Sequence, residues 1–189
     1  MKHNLTVLVS ALVLMTGSVA AGELVDAAQK AEDLQAQGQH LEAIDALAAA
    51  TAKLWEASPL LVRQAFFVDG EPGGFGIYNL HEGVQFKRTE PLVIYAEPVG
   101  YGYRKENGLK VIALTMDFAV KSKSGETLAE QKSFGNLTLS SHVANREFFA
   151  KITYDFAGLT PGDYEVVTTL NDQPSGKTVA FSLPFTMTE

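Results

Sequence analysis

The sequence predicts a mainly β protein with N-terminal helices, built as an antiparallel β-sandwich of about seven strands joined to a helical hairpin. Three observations carry this. From Leu61 onward apolar residues recur at every second position, the period of a strand with one buried face. Between Leu24 and Leu54 they recur instead at spacings of three and four, the period of an amphipathic helix. Clusters of Gly, Pro, Asn, Asp and Ser punctuate the alternating runs, as turns do.

The first 21 residues read as a secretory signal peptide. Lys2 and His3 precede an apolar run from Leu5 to Met15, and small residues follow from Gly17 to Ala21. At about 11 residues the run is too short to span a bilayer. Val19 and Ala21 suit cleavage after Ala21, and a cut after Ala20 is nearly as good. Cleavage would remove Lys2 and no acid, so the 15 basic and 22 acidic residues become 14 and 22, a net charge of −8. An acidic chain of this kind lacks the basic face that nucleic acid or an anionic membrane requires. The chain of 189 residues has no cysteine, which excludes disulfides, thiolate zinc sites, cysteine nucleophiles and a lipidated cysteine. No second apolar run is long enough to cross a membrane. The periplasm is the expected location, with release to the medium as the alternative.

Residues 22–59 form the predicted helical hairpin. Leu24, Ala27, Ala28, Ala31 and Leu34 share one helical face, and Leu41, Ile44, Leu47, Ala48, Thr51 and Leu54 share another. Gly38 suits the C-terminal cap of the first helix, and Ser58-Pro59 ends the second. The segment Gly38-Gln39-His40-Leu41-Glu42-Ala43-Ile44 resembles the centre of a tetratricopeptide repeat. The resemblance covers one repeat, and one repeat cannot bury both its faces. It implies docking on the β region, with Trp55 as the anchor, or on a second subunit or partner. His40 is expected to be solvated in the turn.

Residues 60–189 form the predicted sandwich. Ile112, Leu114, Met116, Phe118 and Val120 define one strand face, and Thr127 to Phe134 returns after the turn Ser122–Glu126. Phe148, Ala150, Ile152, Tyr154 and Phe156 define another face, and Leu61–Val68 and Leu92–Ala96 read as strands. Tyr164, Val166, Thr168 and Leu170 alternate toward a turn at 171–176. Val179, Phe181, Leu183, Phe185 and Met187 then face inward. Pro184 cannot donate a ladder bond, so that strand is expected at an edge or bulged.

The stretch Leu159-Thr160-Pro161-Gly162-Asp163-Tyr164 resembles the tyrosine corner of immunoglobulin-like and fibronectin type III-like sandwiches. The resemblance implies an immunoglobulin-like fold in which Pro161 and Gly162 shape the corner and the Tyr164 hydroxyl bonds the backbone just upstream. Paired cysteines and a tryptophan within the β region, common in those families, are absent.

Candidate chemistry sits in two loops. The first, 69–83, is glycine-rich, but no lysine or helix pattern follows it, so it reads as a long connection and not a phosphate loop. Tyr78 and His81 lie in it. The second, 97–108, holds Glu97, Tyr101, Tyr103 and Arg104, which form a ligand surface if they meet Tyr78 and His81. The histidines His40, His81 and His142 are far apart in sequence, with no metal-ligand spacing, and no nucleophile elbow is present. The expected function is therefore a non-catalytic binding or assembly module, without cofactor or metal, whose partner is a protein or glycan of the cell envelope. A carbohydrate-binding module using Tyr78, Tyr95, Tyr101 and Tyr103 is the first alternative, and a hydrolase with an acidic site the second. Asn136-Leu137-Thr138 matches a glycosylation sequon, relevant only in a eukaryotic host. The oligomeric state is open.

Overall fold

Two helices and ten strands make up residues 19–189, the part of the chain that the computed structural model describes, with side chains from Gly22 onward. The expected signal peptide lies outside the described residues, save for Val19–Ala21, whose backbone opens the first helix. Two compact units divide between Lys53 and Leu54.

The first unit is the helical hairpin. Helix α1 (Val19–Ala36) ends in a Schellman turn: Gly38, at φ 77°, lets Gln39 N–H reach Leu34 O at 2.9 Å and Gly38 N–H reach Gln35 O at 3.0 Å. Helix α2 (His40–Ala57) runs back, and Lys53 Nζ meets Glu23 Oε2 at 2.9 Å. The buried side chains here are small, Ala31 and Ala43. The last turn of α2, from Leu54, belongs to the second unit.

The second unit contains β1 (Leu61–Gly74), β2 (Ile77–Leu80), β3 (Gln85–Lys87), β4 (Leu92–Val99) and β5 (Arg104–Glu106). It continues with β6 (Leu109–Ser122), β7 (Thr127–Ser141), β8 (Ala150–Tyr154), β9 (Gly162–Asp172) and β10 (Thr178–Thr188). A small sheet has the order β2-β1-β4-β8. The large sheet has the order β3-β10-β9-β6-β5, with β7 also paired to β6. One core joins them in a β-sandwich-like arrangement. Ile94 and Ala96 of β4 and Ile152 of β8 face Leu114 and Val120 of β6, Val166 and Leu170 of β9, and Phe185 and Met187 of β10. Tyr154 and Thr168 share a hydrogen bond of 2.7 Å from sheet to sheet. Tyr164 Oη donates to Thr160 O, four residues upstream, at 2.7 Å.

Three features correct the sequence expectation. There are ten strands instead of seven, because β2, β3 and β5 are short segments of three or four residues without an alternating signature. The pairing is not wholly antiparallel, since β3 runs parallel to β10 along Thr186–Thr188 and places Phe86 in the core. Pro184 falls on the part of β10 that β3 leaves uncovered, opposite Glu165 of β9 in unbroken register. A free edge tolerates its missing donor there. Residues 69–83 also differ from the long connection expected. β1 continues past a register shift after Asp69 and turns into β2 around Gly76, at φ 72°.

One end of the sandwich is held by a buried acid. Asp172 is 1% exposed, and its Oδ2 accepts from Gly102 N–H at 2.7 Å and from the Ser175 hydroxyl. Gly102 fixes the neighbouring Tyr101, against whose ring Trp55 packs edge-on at 4.9 Å while its indole N–H donates to Tyr101 O. Lys177 Nζ donates to Glu56 O and Gly100 O, both at 2.9 Å. Gly100 sits at φ 83°, and a Cβ there would fall well inside contact distance of the Pro59 carbonyl.

Gly100→Ala is therefore expected to destabilise the protein by about 2–4 kcal/mol, from left-handed backbone strain plus overpacking, measured by urea unfolding. Asp172→Ala, which leaves the partly buried Gly102 N–H without its acceptor, is expected to cost roughly 1–3 kcal/mol in the same assay. A loss under about 0.5 kcal/mol, the range of an ordinary surface change, would show that neither contact carries the end of the sandwich.

Candidate functional site

The six candidate side chains from the two loops lie in four separate settings. Tyr78 and Glu97 belong to one. Successive residues of β4 point to opposite faces, so with Ile94 and Ala96 in the core, Tyr95 and Glu97 take the outer face of the small sheet. The β1–β2 hairpin curls over that face. Gly76 N–H donates to Tyr95 Oη at 2.8 Å, and Glu71 pairs with Lys151. Tyr78 packs on Tyr95 at 4.6 Å and on Phe66 at 4.7 Å, and Phe149 stacks on Tyr95 at 5.2 Å. Beneath the rings Glu97 is 4% exposed. Its Oε1 accepts from Tyr95 Oη and Gln64 Nε2, each at 2.9 Å, and Arg63 stands 3.9 Å from Oε2. Burial, reinforced by the Glu97 carboxylate, pushes the Tyr95 hydroxyl up to about 12 against the Gly76 donor, so it stays a neutral donor.

His81 occupies the second setting. Its Nδ1 meets Asp69 Oδ1 at 2.7 Å, its Nε2 meets Gln85 O at 3.2 Å, and its ring stacks on Phe86 at 4.3 Å. Both ring nitrogens are engaged within the fold, which is the arrangement of a strut and not of a free general base. Burial is the largest influence and alone would lower its pKa. The bonds to Asp69 and Gln85, with the charges of Asp69 and Glu90, outweigh it and leave the pKa above 6.5.

Tyr101 and Tyr103 form the third setting. Their hydroxyls both donate to Asn145 O, at 3.0 and 2.7 Å, and Tyr101 is 1% exposed. Burial pushes both hydroxyls upward. They clamp the segment before β8 to the end of the sandwich. Arg104, the fourth, lies exposed on β5 and pairs with Glu106 two residues on at 3.0 Å. The rings of Tyr78 and Tyr101 therefore belong to different clusters, and Tyr95 and Tyr101 are buried, so the four tyrosines make no shared sugar platform. Among the described residues, no three His, Cys, Asp or Glu side chains stand together as metal ligands.

A further surface feature lies on the helical hairpin, for which the sequence left docking on the β region, a second subunit or a partner open. Val25 and Leu41 are each 68% exposed and Ile44 63%. A groove of about 420 Å³ runs between the helices, floored by Ala28, Ala31 and Ala43 and walled by Ile44 and Leu47. Alanines on facing positions let two helices approach closely without enclosing the larger aliphatic side chains beside them. Glu32, Gln35 and His40 also line the groove, and the hairpin as a whole is acidic, with Glu23, Asp26, Glu32, Asp33, Glu42 and Asp45 against Lys30 and Lys53. No family model matches this chain, and no curated protein matches it.

Because the His81 pKa is raised on folding, the pair with Asp69 stabilises the fold fully below about pH 6.5 and loses that effect as pH climbs through the raised value. Asp69→Asn should lower the His81 pKa, followed by NMR titration of its ring protons, and should weaken the protein at pH 5 more than at pH 9. An unchanged His81 titration would show that the pair does not form in solution.

Proposed function

We propose that this chain is an exported, non-catalytic binding and assembly module of the cell envelope, in which an immunoglobulin-like sandwich carries a helical hairpin that captures a partner protein. The observation behind this reading is the exposed Leu41–Ile44 stripe beside an alanine-floored groove. Apolar side chains left in water at neighbouring helical positions mark an interaction surface far better than scattered ones. The signal-peptide pattern in residues 1–21 supports export, with the periplasm as the destination.

The groove's chemistry points to one class of occupant. A second amphipathic helix could lay an aliphatic stripe over Ala28, Ala31 and Ala43, in the helix-in-groove mode. The Glu32 carboxylate in the groove lining and the acidic balance of the hairpin favour Lys or Arg on its flanks over an acidic helix.

The reading predicts that a photo-crosslinking residue at position 44, in the chain exported by living cells, yields a discrete adduct. Peptide mapping should place the adduct on a helical segment with basic flanks. The substitution Leu41→Lys, at a 68% exposed position, should reduce the adduct at least tenfold while leaving thermal stability within about 0.5 kcal/mol. Absence of an adduct at 44, when equivalent residues on the sandwich give one, would overturn the hairpin as the capture surface. An adduct mapping to a second copy of the chain would overturn the heterologous partner.

A further inference from the structure

The large sheet has a free edge along β7 that over half its length lacks the usual protection of a sheet edge. β7 pairs with β6 alone, so the backbone groups along its outer side have no strand partner among the described residues. A fold normally protects such an edge by making it short, or by placing lysine, proline or a bulge on it. Several other edges follow this rule: in the small sheet β2 has four residues and β8 has five with Lys151 as its second, and in the large sheet β3 has three and ends in Lys87, while Pro184 interrupts the uncovered part of β10.

β7 itself is protected over half its length. Its first half carries Glu130 and Lys132 and ends in a bulge, where Ser133 takes φ 49° and donates its N–H to Asp117 Oδ1 at 2.7 Å. From Gly135 to Ser141 the register with Met116–Lys110 is unbroken, and the run Gly-Asn-Leu-Thr-Leu-Ser-Ser contains no charge and no proline. Its side chains alternate cleanly. Asn136, Thr138 and Ser140 are exposed, while Leu137 and Leu139 pack on the core yet stay partly open at the edge.

We infer that residues Gly135–Ser141 pair edge to edge with the same residues of a second copy, antiparallel about a two-fold axis, joining two large sheets into one. Three features select a second copy over an arbitrary strand. The chain is acidic, at net −7, so two copies repel except where a surface carries no charge, and this run is such a surface. Antiparallel self-pairing sets short uncharged residues against each other, with Thr and Ser able to bond across the ladder. It also completes the cover over Leu137 and Leu139. The strip is about 24 Å long, seven residues at roughly 3.4 Å each. It is smaller than the roughly 800 Å² per partner of a standard interface, so the dimer is weak and concentration-dependent.

The experiment is sedimentation equilibrium of the mature chain from about 5 μM to about 1 mM, the range in which so small a strip should associate. The expected result is a monomer–dimer equilibrium, lost in the Asn136→Lys/Thr138→Lys variant, which sets like charges across the two-fold. The Leu41→Lys/Ile44→Lys variant of the hairpin should keep it. In the unmodified protein, alternate amides between Gly135 and Ser141 should exchange with solvent at least tenfold more slowly at the high end of the range. That readout stands even if the lysine variant fails to fold. A monomer throughout, a dimer that survives both lysines on β7, or exchange at 135–141 that ignores concentration would each overturn the inference. Loss of the dimer in the hairpin variant alone would move self-association to the helices.

Discussion

Burial of the Asp172 carboxylate is the constraint on which one whole end of the sandwich rests. A carboxyl group at 1% exposure is costly to bury unless its oxygens find hydrogen-bond partners. Here Oδ2 has two, and they come from different parts of the chain: Gly102 follows the end of β4, and Ser175 sits in the turn between β9 and β10. Meeting the needs of one oxygen therefore fixes two loops together. Oδ1 is buried and makes no hydrogen bond among the described residues. The consequences spread through neighbours. Gly102 orients Tyr101, which receives Trp55, and the turn carries Lys177 to the carbonyls of Glu56 and Gly100.

The outer face of the small sheet shows a second use of a buried acid. Glu97 lies beneath aromatic rings and joins three segments: β1 through Gln64, β4 through Tyr95, and the β1–β2 turn through the Tyr95–Gly76 bond. In both places a carboxylate works as a structural node. The residues that look most chemical in the sequence are, to a large extent, the ones that hold this disulfide-free chain together. The surfaces proposed for recognition are instead made of plain residues, namely alanine, leucine and isoleucine on the hairpin and threonine and serine on β7.

The fold was legible where one side of a segment faces the core and the other faces water. β6, β8, β9 and β10 each display that alternation over five residues or more, and the Gly38 cap and Ser58-Pro59 stop were readable at the helix ends. It was illegible where elements are too short to alternate, as in β3, or where glycines dilute the pattern, as in β1 beyond Asp69. The hairpin between β5 and β6 could have been found, because Asn107-Gly108, both at positive φ, is the residue pair a two-residue turn favours. The candidate site was legible only in part. Nothing local in the sequence reveals that Tyr95 and Glu97 lie under a folded-over hairpin, because that cover comes from residues about twenty positions earlier. Nor does a helical stripe announce whether its large side chains or its alanines face inward.

The bond from Lys177 to the Glu56 carbonyl spans 121 residues and bears on how the chain matures during synthesis. The helices emerge first and can form from local contacts alone. The seat of Trp55, however, is completed by a turn near the other end of the polypeptide, so it stays open until almost the whole chain is present. The last turn of the second helix thus gains this partner only once the turn between β9 and β10 has been made, and that turn acts as its clasp.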